Sequence, residues 1–261
     1  TMKKFVLSIA VLSLLLTGCS ESKKEESEKN TAPQEAVTHE KNTSDQKENA
    51  MYKELSNYIQ SAEAEMEAIP SERKEELKKI ADFVKSKKDS NKTANLTFIC
   101  THNSRRSHMS QIWAAAAAAH YGIEENVNTY SGGTEATAFN PRAVAAIERA
   151  GFKVVNPGVD NPLYDNNPHY EVSYSSNGKV LECFSKKYDD PFNANEHFAA
   201  IMTCSQADEA CPFIPGADLR VPIPYVDPKE SDGTDKEAAT YDERCKQIAT
   251  EMLYMMSQVE A

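Results

Sequence analysis

One stretch near the middle of this 261-residue chain constrains the fold more than any other. A β-leaning run at residues 96–99 ends in Cys100, five small or polar residues follow, and Arg106 and Ser107 come next. The sequence then enters a helix, because residues 114–119 are all alanine and alanine has the highest helix propensity. A strand, a tight loop and a helix in this order predict backbone N–H groups and a helix N-terminus that converge on an anion.

The side chains of this loop indicate the chemistry. A cysteine at the mouth of an anion site has its thiolate stabilised by the same dipoles and by a nearby guanidinium. Arg106 offers a planar fork that matches two oxygens of a tetrahedral oxyanion. The alternative is a buried Cys100 that ends a core strand beside solvated Arg105 and Arg106. The spacing alone is weak evidence, but the flanking strand, the flanking helix and Ser107 favour thiolate attack on a phosphate-like ion.

The N-terminus carries the features of an export signal. Lys3 and Lys4 precede an apolar run at residues 5–16, which is too short to span a bilayer. The ending Leu-Thr-Gly-Cys, with Cys19 last, resembles a bacterial lipobox, whose cysteine becomes lipidated. Residues 1–19 are therefore expected to be a signal peptide with a lipobox, and the mature protein to be exported and anchored by lipid to a bacterial membrane. An ordinary signal peptide and an uncleaved anchor are the alternatives.

Composition divides the rest of the chain. Residues 20–50 are rich in Lys, Glu, Ser, Asn and Gln, and such a segment buries too little apolar surface to offset its ordering entropy, so we expect a disordered linker. Residues 51–92 show helical periodicity interrupted at Pro70, which predicts a helical extension. Residues 93–261 form the expected catalytic domain. The net charge of −11 argues against nucleic acid as a partner, because phosphate backbones are bound by clustered Lys and Arg.

From residue 95 onward strands and helices alternate, which predicts a three-layer α/β fold around a parallel four-stranded sheet flanked by helices. The expected strands after the first lie at 126–131, 197–204 and 217–223, with 153–155 as a further candidate strand, and the expected helices lie at 141–150 and 236–259. Pro222 places the last strand at an edge, because proline lacks the N–H that a central strand must donate. An Asn-Gly turn between residues 170 and 184 predicts an inserted β-hairpin within the segment 156–195.

Two further cysteines point to redox chemistry. Cys204 ends a predicted core strand and should lie at the same edge of the sheet as Cys100, and Cys211 follows seven residues later. Five cysteines remain once Cys19 is set aside, and an odd number does not form a closed disulfide framework. Two half-buried thiols, or a structural disulfide, are the alternatives. Cys183 and Cys245 are taken as structural.

These motifs together resemble the low-molecular-weight protein tyrosine phosphatase superfamily. The loop from Cys100 to Ser107 is similar to its phosphate loop, and Asp227 followed by proline matches its general acid. Within the superfamily, Cys204 and Cys211 resemble the paired cysteines of thioredoxin-coupled arsenate reductases. The resemblance implies that Cys100 is the nucleophile, Arg106 the oxyanion clamp and Asp227 the proton donor. It also implies that Asn103 braces the loop and that Ser107 donates a hydrogen bond to the thiolate. The residues expected to bind the anion or support the loop are Thr101, His102, Asn103, Ser104, Arg105 and Ser107.

The resemblance implies an arsenate reductase-like enzyme that acts on arsenate or a phosphate ester and is recharged by a thioredoxin-like reductant. The alternatives are a phosphotyrosine or phosphomonoester phosphatase that uses the same loop, and a non-catalytic anion-binding lipoprotein. No cofactor or metal is expected, since zinc binding by Cys100, His102 and His108 would lack a fourth ligand at a usual spacing. The chain departs from the family pattern at three positions. His102 lies where glycine is usual, Arg105 lies at a position that is often cysteine, and Gln111 lies where related reductases have a glutamate.

Overall fold

The computed structural model describes residues 51–158 and 166–259, so the predicted signal peptide at 1–19, the predicted linker at 20–50 and part of the predicted insertion lie outside the described residues. The strands are β1 (Ala94–Cys100), β2 (Val127–Gly133), β3 (Lys153–Val155), β4 (Tyr170–Ser173), β5 (Val180–Cys183), β6 (Phe198–Met202) and β7 (Ala217–Pro222). The helices are α1 (Lys53–Glu63), α2 (Ser71–Asp89), α3 (Arg106–His120), α4 (Pro141–Arg149), α5 (Ser205–Ala210) and α6 (Glu237–Ser257). In the described ranges no helix is both long and apolar enough to cross a membrane.

Four strands form the central sheet, in the order β2-β1-β6-β7, and all of its neighbouring pairs are parallel. The predicted four-stranded parallel sheet is therefore confirmed, with β7 and its proline at an edge. β1 lies in the interior, and six of its seven residues are buried. Cys100 is in register with Gly133 of β2, and Ile99 with Met202 of β6. The carboxyl ends of three strands thus meet at one edge of the sheet, where the loop after Cys100 begins.

The helices cover the two faces of the sheet unequally. One large core joins α1, α2, α3, α4 and α6 to the face that carries Leu96 and Phe98. A smaller core on the other face contains Ile99 and Cys100 and is closed by α5 and neighbouring loops. The two N-terminal helices share the main core of the domain.

The inserted hairpin belongs to a second sheet. β3, β4 and β5 form an antiparallel sheet in which Val154 of β3 pairs with Val172 of β4. The prediction that residues 153–155 continue the alternation of core strands is therefore wrong. Lys153 and Val155 are exposed, and a strand of three residues with two exposed side chains does not suit a parallel sheet that is buried on both faces.

The start of α4 is tied to the loop at Cys100. Asn140 Oδ1 accepts a hydrogen bond from the N–H of Arg142 at 3.0 Å, so Asn140 is the N-cap that the sequence predicts, with Pro141 at the first helical position. The N–H of Asn140 itself donates to the carbonyl of Ser104 at 2.9 Å. One residue therefore begins α4 and supports the loop.

Candidate active site

The loop from Cys100 to Ser107, called here the Cys100 loop, links the end of β1 to the first turn of α3. The carbonyls of Cys100, Thr101 and Ser104 accept hydrogen bonds of 2.8 to 3.1 Å from backbone N–H groups in the segment that follows β2. Within the part of the chain that the structure describes, the backbone N–H groups of residues 101–105 form no hydrogen bond. The carbonyls are thus occupied outside the loop, and the amides are left free for an anion.

A short chain of side-chain hydrogen bonds orients a donor toward the Cys100 thiol. Asn103 Nδ2 donates to Ser107 Oγ at 2.9 Å, and Ser107 Oγ lies 3.1 Å from Cys100 Sγ. Because the serine oxygen already accepts from Asn103, its own proton is available to the sulfur. Asn103 has a φ of +44°, a left-handed conformation that asparagine tolerates better than most residues. The chain of hydrogen bonds therefore directs a hydroxyl donor at the Cys100 sulfur.

Arg106 and Asp227 face each other beside the loop. Arg106 Nη2 donates to Asp227 Oδ2 at 2.7 Å, and Arg106 Nη1 donates to the carbonyl of Tyr225 at 3.1 Å. The buried Nε of Arg106 has no partner among the described residues, so this donor remains available to an oxyanion. The Asp227 side chain is 29% exposed and can reach a leaving group that enters from solvent.

The segment that carries Asp227 is held by the helical extension and by α6. Arg73 of α2 donates to the carbonyl of Pro224 at 2.6 Å and lies 3.4 Å from Glu251 of α6. Tyr225 OH donates to Glu251 at 2.8 Å, and burial raises the pKa of this phenol well above its ordinary value. Helix α2 therefore contributes directly to the position of Asp227.

A segment after the inserted hairpin braces the Cys100 loop from the other side. We call residues 184–188 the strap. The hydroxyl of Ser185 donates to the carbonyl of His102 at 3.0 Å, and the backbone N–H of Lys186 donates to Asn103 Oδ1 at 2.9 Å. The sequence gives no sign of this role, because no local pattern in the strap indicates a contact with the Cys100 loop.

Lys186 brings a buried positive charge behind the loop. Its side chain is fully buried, its ammonium donates to the carbonyl of Phe184 at 3.3 Å, and it lies over the rings of Phe184 and Phe192 at 4.4 and 5.1 Å. In the described ranges it forms no ion pair with a carboxylate. Burial lowers the pKa of Lys186 to about 8.

Three cysteines share the smaller core on the loop side of the sheet: Cys100, Cys204 and Cys211. Cys204 Sγ is fully buried, lies 3.4 Å from Thr101 Oγ1 and accepts from the N–H of Ala207 at 3.4 Å, which makes Cys204 the N-cap of α5. Cys211 follows α5 and is half-buried. All three thiols are free, and the structure gathers them beside the loop.

The other two described cysteines lie elsewhere. Cys183 and Cys245 belong to the main core, and burial raises the pKa of Cys183 to about 12 and that of Cys245 to about 11. Thiols that hold their proton this strongly are poor nucleophiles at neutral pH.

The unusual loop residues do not form a metal site. The side chain of His102 is half exposed and lies 3.7 Å from Glu135, whereas His108 is fully buried within α3, where burial lowers its pKa. Arg105 turns toward α6, where its Nε donates to Tyr241 OH at 2.8 Å. Within residues 51–158 and 166–259 no three His, Cys, Asp or Glu side chains form a group that could hold a metal ion.

Part of the chain is similar to proteins that are already known. A family model for low molecular weight phosphotyrosine protein phosphatase matches residues 95–166. An arsenate reductase from Bacillus licheniformis is 29% identical over 149 residues, which cover 57% of this chain and 84% of the relative. An arsenate reductase from Staphylococcus aureus is 32% identical over 118 residues, which cover 45% of this chain and 66% of the relative. The structure of a YwlE mutant from Bacillus subtilis aligns with a TM-score of 0.43 and 16% identity, over 65% of this chain and all of its own.

The matched region begins in β1 and contains the whole Cys100 loop, and the arsenate reductase relatives extend the similarity over about half of the chain. Residues 95–166 are thus similar to the low molecular weight phosphotyrosine protein phosphatase family, and a larger part of the chain is similar to arsenate reductases.

Proposed function

We propose that this chain is an arsenate reductase-like enzyme, in which thiolate attack on a tetrahedral oxyanion is followed by an intramolecular thiol–disulfide cascade. The observation that carries the proposal is the contact of Cys204 with the Cys100 loop, through Thr101 Oγ1 at 3.4 Å, with the half-buried Cys211 beyond α5. A phosphatase needs one thiol at this place. The similarity to two arsenate reductases supports the same choice.

In the first step arsenate binds to the free amides of the loop and to Arg106. The Cys100 thiolate attacks arsenic and forms a sulfur–arsenic bond, and one arsenate oxygen leaves with a proton from Asp227. Arg106 holds the remaining oxygens through charge-assisted hydrogen bonds. Arg106 forms a 2.7 Å ion pair with Asp227, and part of this contact is replaced by hydrogen bonds to arsenate when the substrate binds.

The second half of the cycle moves two electrons. The Cys204 thiolate attacks Cys100 Sγ, and the pair of the sulfur–arsenic bond stays on arsenic, so arsenic(V) becomes arsenic(III) and arsenite leaves. Cys211 then attacks Cys204 Sγ and releases Cys100 as a thiolate. A disulfide between Cys204 and Cys211 remains, and a thioredoxin-like dithiol reduces it by exchange, becoming a disulfide itself.

This cascade requires α5 to open. Cys204 and Cys211 flank α5 and are seven positions apart in the sequence, which corresponds to about 10 Å at the rise of a helix. A disulfide requires Cα atoms less than about 7 Å apart. The second disulfide therefore forms only after α5 unwinds, which shortens the path between the two sulfurs.

The second candidate function is phosphatase activity, favoured by the pairing of Asp227 with Arg106 beside a loop whose amides are free. Turnover of para-nitrophenyl phosphate by the unsubstituted chain and by Cys204→Ser separates the two functions. The reductase hypothesis predicts that Cys204→Ser abolishes arsenate reduction and leaves a Cys100–arsenate adduct. Rapid phosphate-ester turnover together with no arsenite release from the unsubstituted chain would favour the phosphatase. A chain that binds phosphate but performs neither reaction would be the non-catalytic lipoprotein.

We further propose that the enzyme is exported and anchored to a bacterial membrane by a lipid on Cys19. The support is the pair of lysines, the apolar run at 5–16 and the Leu-Thr-Gly-Cys ending. Metabolic labelling with radioactive palmitate should mark the unsubstituted chain in the membrane fraction, and Cys19→Ala should remove the label. A labelled Cys19→Ala chain would contradict this anchor. For an enzyme anchored in this way, the reductant would be an exported thioredoxin-like protein.

A further inference from the structure

α5 is a helix of six residues, far shorter than the length at which an isolated helix is stable in water. Its fold therefore depends on contacts with the rest of the chain. At its start, the Cys204 thiol accepts a hydrogen bond from the N–H of Ala207. At its end, the last carbonyls of a helix have no partner within the helix and need donors from outside.

Arg220 of β7 supplies these donors. Its Nε donates to the carbonyl of Cys211 at 3.0 Å, and its Nη2 donates to the carbonyl of Asp208 at 2.7 Å and to Asp208 Oδ1 at 2.6 Å. β7 is paired with β6 in the central sheet, so the guanidinium comes from a fixed element. Both partners are largely shielded, with side chains 25% and 30% exposed, which strengthens the ion pair.

We propose that Arg220 and Asp208 form a latch that holds α5 folded while Cys204 and Cys211 are reduced, and that opening this latch limits the rate at which the second disulfide closes. Arg220 is a positioning residue here, since it contacts the backbone of Cys211 and not its sulfur. The proposal rests on the cascade proposed above, because only a Cys204–Cys211 disulfide requires the helix between them to unwind.

The test follows disulfide closure directly with diamide as oxidant. Each thiol gives up one electron and one proton, and diamide takes up both pairs as it becomes a hydrazine derivative. The full chain is studied with Cys100→Ser, so that Cys100 cannot form a competing disulfide. Closure is measured by quenching with iodoacetamide at fixed times and quantifying the peptide that joins residues 204 and 211 by mass spectrometry.

In this background Arg220→Gln should close the disulfide roughly tenfold faster, the effect expected from losing charge-assisted hydrogen bonds that favour the folded helix. Asp208→Asn keeps both carbonyl contacts and should give a smaller acceleration. Arg220→Lys keeps the charge without the fork and should fall between Arg220→Gln and the parent. Arg149→Gln removes a comparable ion pair with Asp242, remote from α5, and should leave the rate unchanged.

Two further measurements separate a latch from a general loss of structure. Amide hydrogen exchange in residues 205–211 should accelerate in Arg220→Gln, while exchange in α3 stays the same. With Cys100 present, alkylation of Cys100 by iodoacetamide should keep its rate. Closure at the parental rate or slower in Arg220→Gln would overturn the latch. If circular dichroism shows that Arg220→Gln is unfolded, the closure rate of Asp208→Asn is the test, and closure at the parental rate or slower in that variant would overturn the latch.

The latch and the proposed function fail differently. If arsenate produces no Cys204–Cys211 disulfide but Arg220→Gln still accelerates closure by diamide, the reductase proposal is wrong and the latch stands. If arsenate produces the disulfide and Arg220→Gln leaves closure unchanged, only the latch is wrong.

Discussion

At the scale of single residues, the ammonium of Lys186 is a charge that the fold stabilises poorly. It is fully buried, its contacts are one carbonyl and two aromatic rings, and burial lowers its pKa to about 8. A buried charge without a carboxylate partner costs stability. The exposed Lys187 next to it carries the same charge in solvent.

We expect Lys186→Met to be more stable than the unsubstituted chain at pH 7, by about 3 kcal/mol from the lowered pKa. The unfolded lysine keeps its proton to about pH 10, whereas the folded one loses it near pH 8, so the stability of the unsubstituted chain rises with pH across this window. The advantage of Lys186→Met should therefore be full below pH 8 and shrink toward pH 10. Urea unfolding of both chains at pH 7 and at pH 10 measures this difference in stability.

Lys187→Met is the matched control and should change stability by less than about 0.5 kcal/mol. At pH 7, alkylation of Cys100 by iodoacetamide should slow in Lys186→Met and not in Lys187→Met, because the loop loses a positive charge behind it. A Lys186→Met chain that is less stable than the unsubstituted one at pH 7 would show that the buried charge has a partner that compensates it.

At the scale of elements, the strap holds the loop because glycine at the end of β2 lets it approach. The N–H of Gly133 donates to the carbonyl of Lys186, and the N–H of Tyr188 donates to the carbonyl of Gly133, both at 2.9 Å. A Cβ atom on the adjacent Gly132 would lie 2.4 Å from the Cα of Tyr188. Two backbones at this distance leave no room for a side chain.

Gly132→Ala should therefore displace the strap and loosen the Cys100 loop. We expect a loss of about 1 to 3 kcal/mol in urea unfolding, as for other overpacked sites. Protection of Cys100 from iodoacetamide should need at least about tenfold more phosphate, an affinity change of about 1.4 kcal/mol. Tyr188→Phe leaves the strap's backbone bonds in place and should bind phosphate normally. Unchanged phosphate protection in Gly132→Ala would mean that the loop keeps its shape without the strap.

At the scale of the whole molecule, the two N-terminal helices belong to the main core. Leu55 of α1 and Leu77 of α2 are fully buried in the same cluster as Trp113 of α3 and Leu253 of α6. Since Arg73 of α2 also holds the segment before Asp227, these helices support both the stability and the site.

Leu77→Ala should therefore cost about 2 to 5 kcal/mol, the range for truncating a buried leucine. Val180→Ala, at a side chain that is 57% exposed on the second sheet, is the control and should change stability by about 0.5 kcal/mol or less. Denaturant unfolding of both variants measures the difference. An equal, small effect in both would mean that α2 only rests on a domain that is stable without it.

Local patterns in the sequence predicted the features that depend on neighbours along the chain. The strand before Cys100, the helix with its alanine run and the Asn140 cap each follow from residues a few positions apart. The parallel sheet follows from the alternation of such elements. The gathering of Cys100 and Cys204 at one sheet edge follows from the geometry of parallel strands.

What the sequence could not indicate depends on contacts between distant segments. Packing between distant segments determines that residues 153–155 pair with the hairpin. It also determines the hydrogen bond from the strap to Asn103. Lys186 looks like a surface residue, because lysine is seldom fully buried and its neighbour Lys187 is exposed. The contact of Arg220 with α5 likewise joins two elements whose sequences show no sign of it.

The most direct test of the enzyme is mass spectrometry of the reduced, full-length chain after a single turnover with arsenate and quenching by iodoacetamide. The account predicts one equivalent of arsenite, an alkylated Cys100 and a disulfide that joins Cys204 to Cys211. Alkylated Cys204 and Cys211 with no arsenite released, in a chain whose Cys100 is reactive and protected by phosphate, would contradict it.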